Sequence, residues 1–89
     1  MKAIVTVVGK DQVGIIASVC VQLASYNVNV LDIRQTVMQG YFTMMMIVDV
    51  TDSSLPLAEL AKVMEEKGKE KNLSIRLQRE DIFEAMHRI

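Results

Sequence analysis

The chain has 89 residues, 51% hydrophobic and 24% charged, which suits one small core and is too little for an enclosed catalytic chamber. Ten Lys and Arg against eleven Asp and Glu leave a net charge of −1, excluding the broad basic surface with which nucleic-acid binders neutralise phosphates. A single cysteine excludes an internal disulfide or a cysteine-built metal site, and no apolar run approaches the ~20 residues of a bilayer span.

Ala3-Ile4-Val5-Thr6-Val7-Val8 is almost wholly apolar and β-branched, which predicts a buried first strand. With no signal peptide ahead of that strand, the expectation is a soluble, cytoplasmic domain. A polar loop, Gly9-Lys10-Asp11-Gln12, leads to a helix whose apolar face carries Ile16, Val19, Cys20 and Leu23. Asn27, which tolerates the left-handed conformation, ends it.

From Val28 to Met38 the period becomes two. Leu31, Ile33 and Val37 alternate with Asp32, Arg34 and Thr36, predicting a strand with one wet face. Gln39-Gly40 signals a tight hairpin turn into a third strand, Tyr41 to Val50. Thr51, Asp52, Ser53 and Ser54 offer a cap for a second helix, with Pro56 in its first turn. Leu57, Leu60, Ala61 and Met64 mark the apolar face of that helix, and Gly68 and Asn72 bracket its fraying end. Leu73, Ile75 and Leu77 alternate with Ser74, Arg76 and Gln78 as a fourth strand. Ile82, Phe83, Met86 and Ile89 then recur at helical spacing.

The order β-α-β-β-α-β with a short terminal helix predicts an α+β, ferredoxin-like sandwich, with both helices on one face of a four-stranded antiparallel sheet. Strands one and three are apolar on both faces, which places them at the centre and gives the order 4-1-3-2. The helices cover one sheet face. On the other, Tyr41, Met45 and Ile47, with Val5 and Val7, are expected to form an apolar stripe of about 400 Å². Either the terminal helix or a second copy of the chain should cover it, and a symmetric dimer is the simplest cover.

Little supports catalysis or a metal. His87 reads as a solvated surface histidine and Cys20 as a small buried hydrophobe. The run Glu65, Glu66, Lys67, Lys69, Glu70 and Lys71 reads as a solvated helix face, and Met44-Met45-Met46 as core and interface filling. No pair of carboxylates is placed for acid–base work. A non-enzyme without cofactor or metal is therefore expected, with no nucleic-acid or membrane partner. Chemistry is more plausible at the first loop. Free amides at a helix N-terminus attract a carboxylate, Gly14 lets a ligand approach closely, and Asp11 can accept a hydrogen bond from an ammonium group. Against this stands a purely local role, Asp11 capping the helix and Gly14 fitting tight packing. Asn29 offers donors and acceptors at the entry to the second strand, or with Asn27 merely serves the turn.

The run Gly9-Lys10-Asp11-Gln12-Val13-Gly14-Ile15, the helix behind it and Tyr26-Asn27-Val28-Asn29-Val30-Leu31-Asp32-Ile33 resemble the signature half of an ACT domain. The whole chain resembles the small stand-alone ACT-domain proteins related to regulators of the glycine cleavage system. The resemblance implies an ACT domain over residues 1–78 and a helical extension over 79–89. It also implies that an amino acid or similar small metabolite binds where two domains of a homodimer or higher homo-oligomer meet, modulating a partner enzyme or regulator. Asp11, Gln12, Val13, Gly14 and Ile15 of one domain would face Asn29, Val30 and Leu31 of its neighbour. The alternative is a ligand-free interaction or dimerisation module.

Overall fold

A computed structural model describes residues 1–10 and 12–81. Six elements follow in order: β1 (Lys2–Lys10), α1 (Ile15–Ser25), β2 (Asn29–Met38), β3 (Tyr41–Asp49), α2 (Leu57–Glu70) and β4 (Leu73–Arg79). The strands form one antiparallel sheet in the order β2-β3-β1-β4. This is the predicted 4-1-3-2 read from the other edge. The predicted terminal helix, with Ile82, Phe83, Met86 and His87, lies outside the described residues.

The turns follow from local chemistry. Gln39 and Gly40 both take positive φ, 49° and 81°, as a type I′ hairpin turn requires. Asn27 leaves α1 at φ 62° and is fixed there by its side-chain amide, which donates to the Asp52 carbonyl at 2.9 Å. The polar break before α2 behaves differently from expectation. No side chain caps α2, whose N-cap position is Pro56. Ser53 instead accepts from the Leu55 amide and donates to the Leu55 carbonyl, closing the loop on itself.

One core lies between the sheet and the two helices. Ala3, Val5 and Val7 of β1 meet Met44, Met46 and Val48 of β3 and Leu73, Ile75 and Leu77 of β4, beneath Val19 and Leu23 of α1 and Leu60 and Met64 of α2. Three expectations are corrected. First, Val5 and Val7 lie on the helix-covered face, fully buried, opposite Met46 and Met44. Ile4, Thr6 and Val8 take the open face, opposite Ile47, Met45 and Thr43. A strand apolar on both sides carries no alternation to fix its parity, and a slip of one residue exchanges its faces. Second, α1 buries Ile15, Val19 and Leu23, while Ile16 and Cys20 are only half-buried against the core. Third, α2 does not fray at Gly68; it continues to Glu70 with Gly68 buried against Leu73 and Ile75 of β4.

The open face keeps Tyr41, Met45 and Val8 exposed. At its edge, Asp32 lies opposite Ile47 and Arg34 opposite Met45. A bulge at Leu31 shifts the β2–β3 register between Val30 and Asp32.

Candidate functional site

The loop between β1 and α1 ends on Gly14, which takes φ 85° at the N-cap position of α1. A Cβ there would meet nothing within 4 Å. The glycine thus serves the left-handed backbone rather than tight packing, and its surroundings stay open to a ligand. Behind it the first-turn amides of α1 have no partner within the helix, and the first turn carries no acidic side chain. That combination favours an anionic group.

The predicted loop residues divide by role. Gln12 donates from Nε2 to the Lys71 carbonyl at 3.1 Å, tying the loop to the turn between α2 and β4. Val13 is completely exposed at the tip, whereas the Ile15 side chain is core, so Ile15 can offer a ligand only its backbone. Asp11 lies outside the described residues. Gln12, Gly14 and Ile15 line a cleft of about 430 Å³ with Ile16, Ala17, Gln35, Val37 and Phe42. Gln35, Val37 and Phe42 were not predicted. The hairpin turn contained the signal: it pairs Val37 with Phe42 and so places both on the helix side, below the loop.

The second predicted group lies elsewhere. Asn29 is exposed at the start of β2, opposite Asp49, and lines a different cleft with Asn27, Asp49 and Asp52. Val30 is half-buried against the core, and Leu31, the bulge residue, is exposed. Asp49 in turn pairs with Lys2, at the opposite end of β1 from Lys10, after which the loop begins. Eight strand steps of about 3.3 Å therefore separate Asn29 from the start of the loop, roughly 26 Å. A single chain does not bring them together.

Beside Asn29, Thr51 holds the Asp49 carboxyl below the usual carboxylate range, donating from its hydroxyl at 2.6 Å and its amide at 2.9 Å. A carboxyl with a depressed folded pKa stabilises the fold above its unfolded pKa, and that contribution is lost as pH falls through the folded value. Thr51→Ala removes the hydroxyl donor alone. It is expected to move the Asp49 midpoint part of the way back up, read by carboxyl NMR titration of both proteins.

A larger groove, about 740 Å³, runs between α2 and the outer edge of β4 and contains none of the predicted residues. Among the described residues no group of three His, Cys, Asp or Glu could hold a metal ion, and no helix is long and apolar enough to cross a membrane. Cys20 is a free, half-buried thiol.

Comparison with known proteins gives a consistent result. The ACT domain family model matches residues 2–78. A UPF0237 protein of Bifidobacterium longum is 53% identical over 88 residues, covering 99% of this chain and 98% of its own. Another, from Listeria innocua, is 46% identical over 89 residues and the full length of both. An ACT domain protein from Streptococcus pneumoniae superposes with a TM-score of 0.83 at 45% identity, over 98% of each chain. A protein assigned as a glycine cleavage system transcriptional repressor shares the fold at TM-score 0.74 and 19% identity, over 86% of this chain and 44% of that one.

Proposed function

The chain belongs to the ACT domain family, and from that premise we propose that it is a cytoplasmic regulatory module without catalytic activity, which binds an amino acid or similar small metabolite between two copies of itself. The domain proper is residues 1–78, with 79–89 as an extension. One copy contributes the loop, Asp11, Gln12, Val13, Gly14 and Ile15; the other contributes Asn29, Val30 and Leu31. The observation that carries this reading is the separation of roughly 26 Å between Asn29 and the start of the loop within one chain. No small metabolite spans that distance, whereas a second copy can present its strand start to the first copy's loop. The ligand's carboxylate suits the first-turn amides of α1, and its ammonium group suits Asp11 and the Asn29 side-chain oxygen. Binding couples to a partner enzyme or regulator if the metabolite prefers one arrangement of the pair over others.

A thermal-shift screen of the full chain against the common amino acids tests this reading. A ligand at 100 times its Kd stabilises the folded form by about 2.7 kcal/mol, on the order of 10 °C in a domain of this size. Asn29→Ala is expected to remove that shift while leaving the unliganded midpoint in place, because Asn29 is exposed. A screen in which no amino acid moves the midpoint overturns amino-acid binding and favours the ligand-free interaction module.

A further inference from the structure

The face of the sheet turned away from the helices has a socket toward one end. A cavity of about 160 Å³ there is lined by Ile4, Met45, Ile47, Asp32 and Arg34. The ladder places it: Ile4 stands opposite Ile47, and Ile47 opposite Asp32. The space is too small for a metabolite pocket, which runs to about 300 Å³ or more. An apolar cavity of about 150 Å³ accepts a benzene ring, so this one suits a single large apolar side chain. Exposure also rises away from it. Ile4 is 8% exposed and Ile47 half-buried, although both helices lie on the other face, whereas Val8 and Tyr41 are 41% and 57% exposed.

The last strand ends beside the socket. Gln78 of β4 is opposite Ile4, and Arg79 is opposite Ala3. Glu80 and Asp81, the last described residues, are already helical. The Arg79 guanidinium donates to both oxygens of the Asp81 carboxylate, at 3.1 and 2.6 Å, a bidentate pair that sets the first turn beyond the strand. Residues 82–89 follow. Among them is Phe83, the one phenylalanine besides Phe42, which is core.

We propose that residues 82–89 cross the open face as a helix, from β4 toward β2, and seat Phe83 in the socket. The length fits. Residues 80–89 extend about 15 Å as a helix, and the three spacings from β4 to β2 come to about 14 Å. The lining suits an aromatic occupant, since the Arg34 guanidinium can lie over the ring face and the Met45 sulfur at its edge. The charges match in direction. The segment opens with Glu80, Asp81 and Glu84 and closes with Arg88. The face opens at β4 with Arg76 and closes at β2 with Asp32, which takes part in no ion pair among the described residues. A second copy could also cover the face, but the segment is tethered beside it, so its docking does not depend on protein concentration. The loop cleft of the proposed metabolite site is floored by Phe42 on the helix side, and docking of the segment leaves it untouched.

NMR of the full chain, with the isoleucine δ1 methyls labelled, tests the placement. The Phe83 ring should give nuclear Overhauser peaks to the Ile4 and Ile47 methyls. A sample mixing labelled and unlabelled chains, filtered for contacts between chains, should lack those peaks. Phe83→Ala should shift these two methyls most, through loss of the ring current, and leave Ile15 and Ile75 of the helix-side core in place. Peaks that survive the filter would overturn the proposal in favour of a second copy on this face. Phe83 peaks to neither methyl would overturn it outright. Both results are read on the unmutated protein, so neither depends on how Phe83→Ala folds.

Discussion

Leu23→Ala is expected to lower the unfolding free energy by about 3 kcal/mol, within the range for truncating a buried leucine. Leu23 is fully buried in the last turn of α1 and belongs to the core between helices and sheet. Its carbonyl also accepts from the amides of Tyr26 and Val28, which lead the chain out of the helix and toward β2. The backbone at that corner is held by its own hydrogen bonds, so it resists collapsing into the vacated volume and much of the cavity should persist. A domain of this length has only about 5–10 kcal/mol in total, so the loss is a large share. Urea denaturation is the appropriate measurement: the midpoint should fall with little change in the slope. A midpoint within experimental error of the wild type would contradict the core described above.

Gly68→Ala should destabilise although it replaces the poorer helix former with the best one. In an open helix interior the exchange gains about 1 kcal/mol. Here a Cβ on residue 68 would stand 2.8 Å from the Leu73 carbonyl oxygen and 2.8 Å from Ile75 Cγ1. Ile75 can yield by changing rotamer, but the carbonyl belongs to a strand paired to β1 and moves only if β4 shifts away from α2. We expect a net loss of about 2 kcal/mol, in keeping with overpacked cores. The sign is the test. A stabilised Gly68→Ala protein would mean that α2 and β4 do not pack at this distance.

The positions where sequence and structure agree are those where one local rule acts alone. Gln39-Gly40 needs two positive φ angles in a row, and little besides a type I′ turn provides them; that turn then sets the β2–β3 register as far as Asp32, where the bulge begins. The clean alternation of Leu73, Ile75 and Leu77 likewise fixed the inner face of β4. Agreement failed where the pattern was degenerate. Ala3 to Val8 differ between the two parities only by Thr6, so the cross-strand partners of β3 decide which residues face the helices. Ile15 and Ile16 are adjacent and alike, and the direction in which Gly14 launches α1 chooses between them. Gly68 resembled a helix stop because its reason is a contact with β4, which no pattern within α2 contains.

The candidate site shows the same division. Gly14 and Asn29 are recognisable as residue types, one for its backbone and the other for its polar side chain. Their distance from each other is a property of the sheet. Only the full ladder, from Lys10 beside Tyr41 to Lys2 beside Asp49 and Asn29, shows that the two groups occupy opposite ends. Gln35, Val37 and Phe42 were missed for a related reason. They reach the loop only through the hairpin pairing, and Gln35 falls on the face of β2 shared with Ile33 and Val37, which the alternation reads as the apolar one.

The placement of the two proposed recognition groups at opposite ends of one sheet has a consequence for how such a protein would signal. If each seam needs two chains, occupancy depends on how much of the protein a cell makes as well as on the metabolite. Dilution alone would silence the response, and bound metabolite would in turn hold the chains together, sharpening the threshold. Abundance then becomes an adjustable setting of the sensor, one that expression level could tune without altering a single residue.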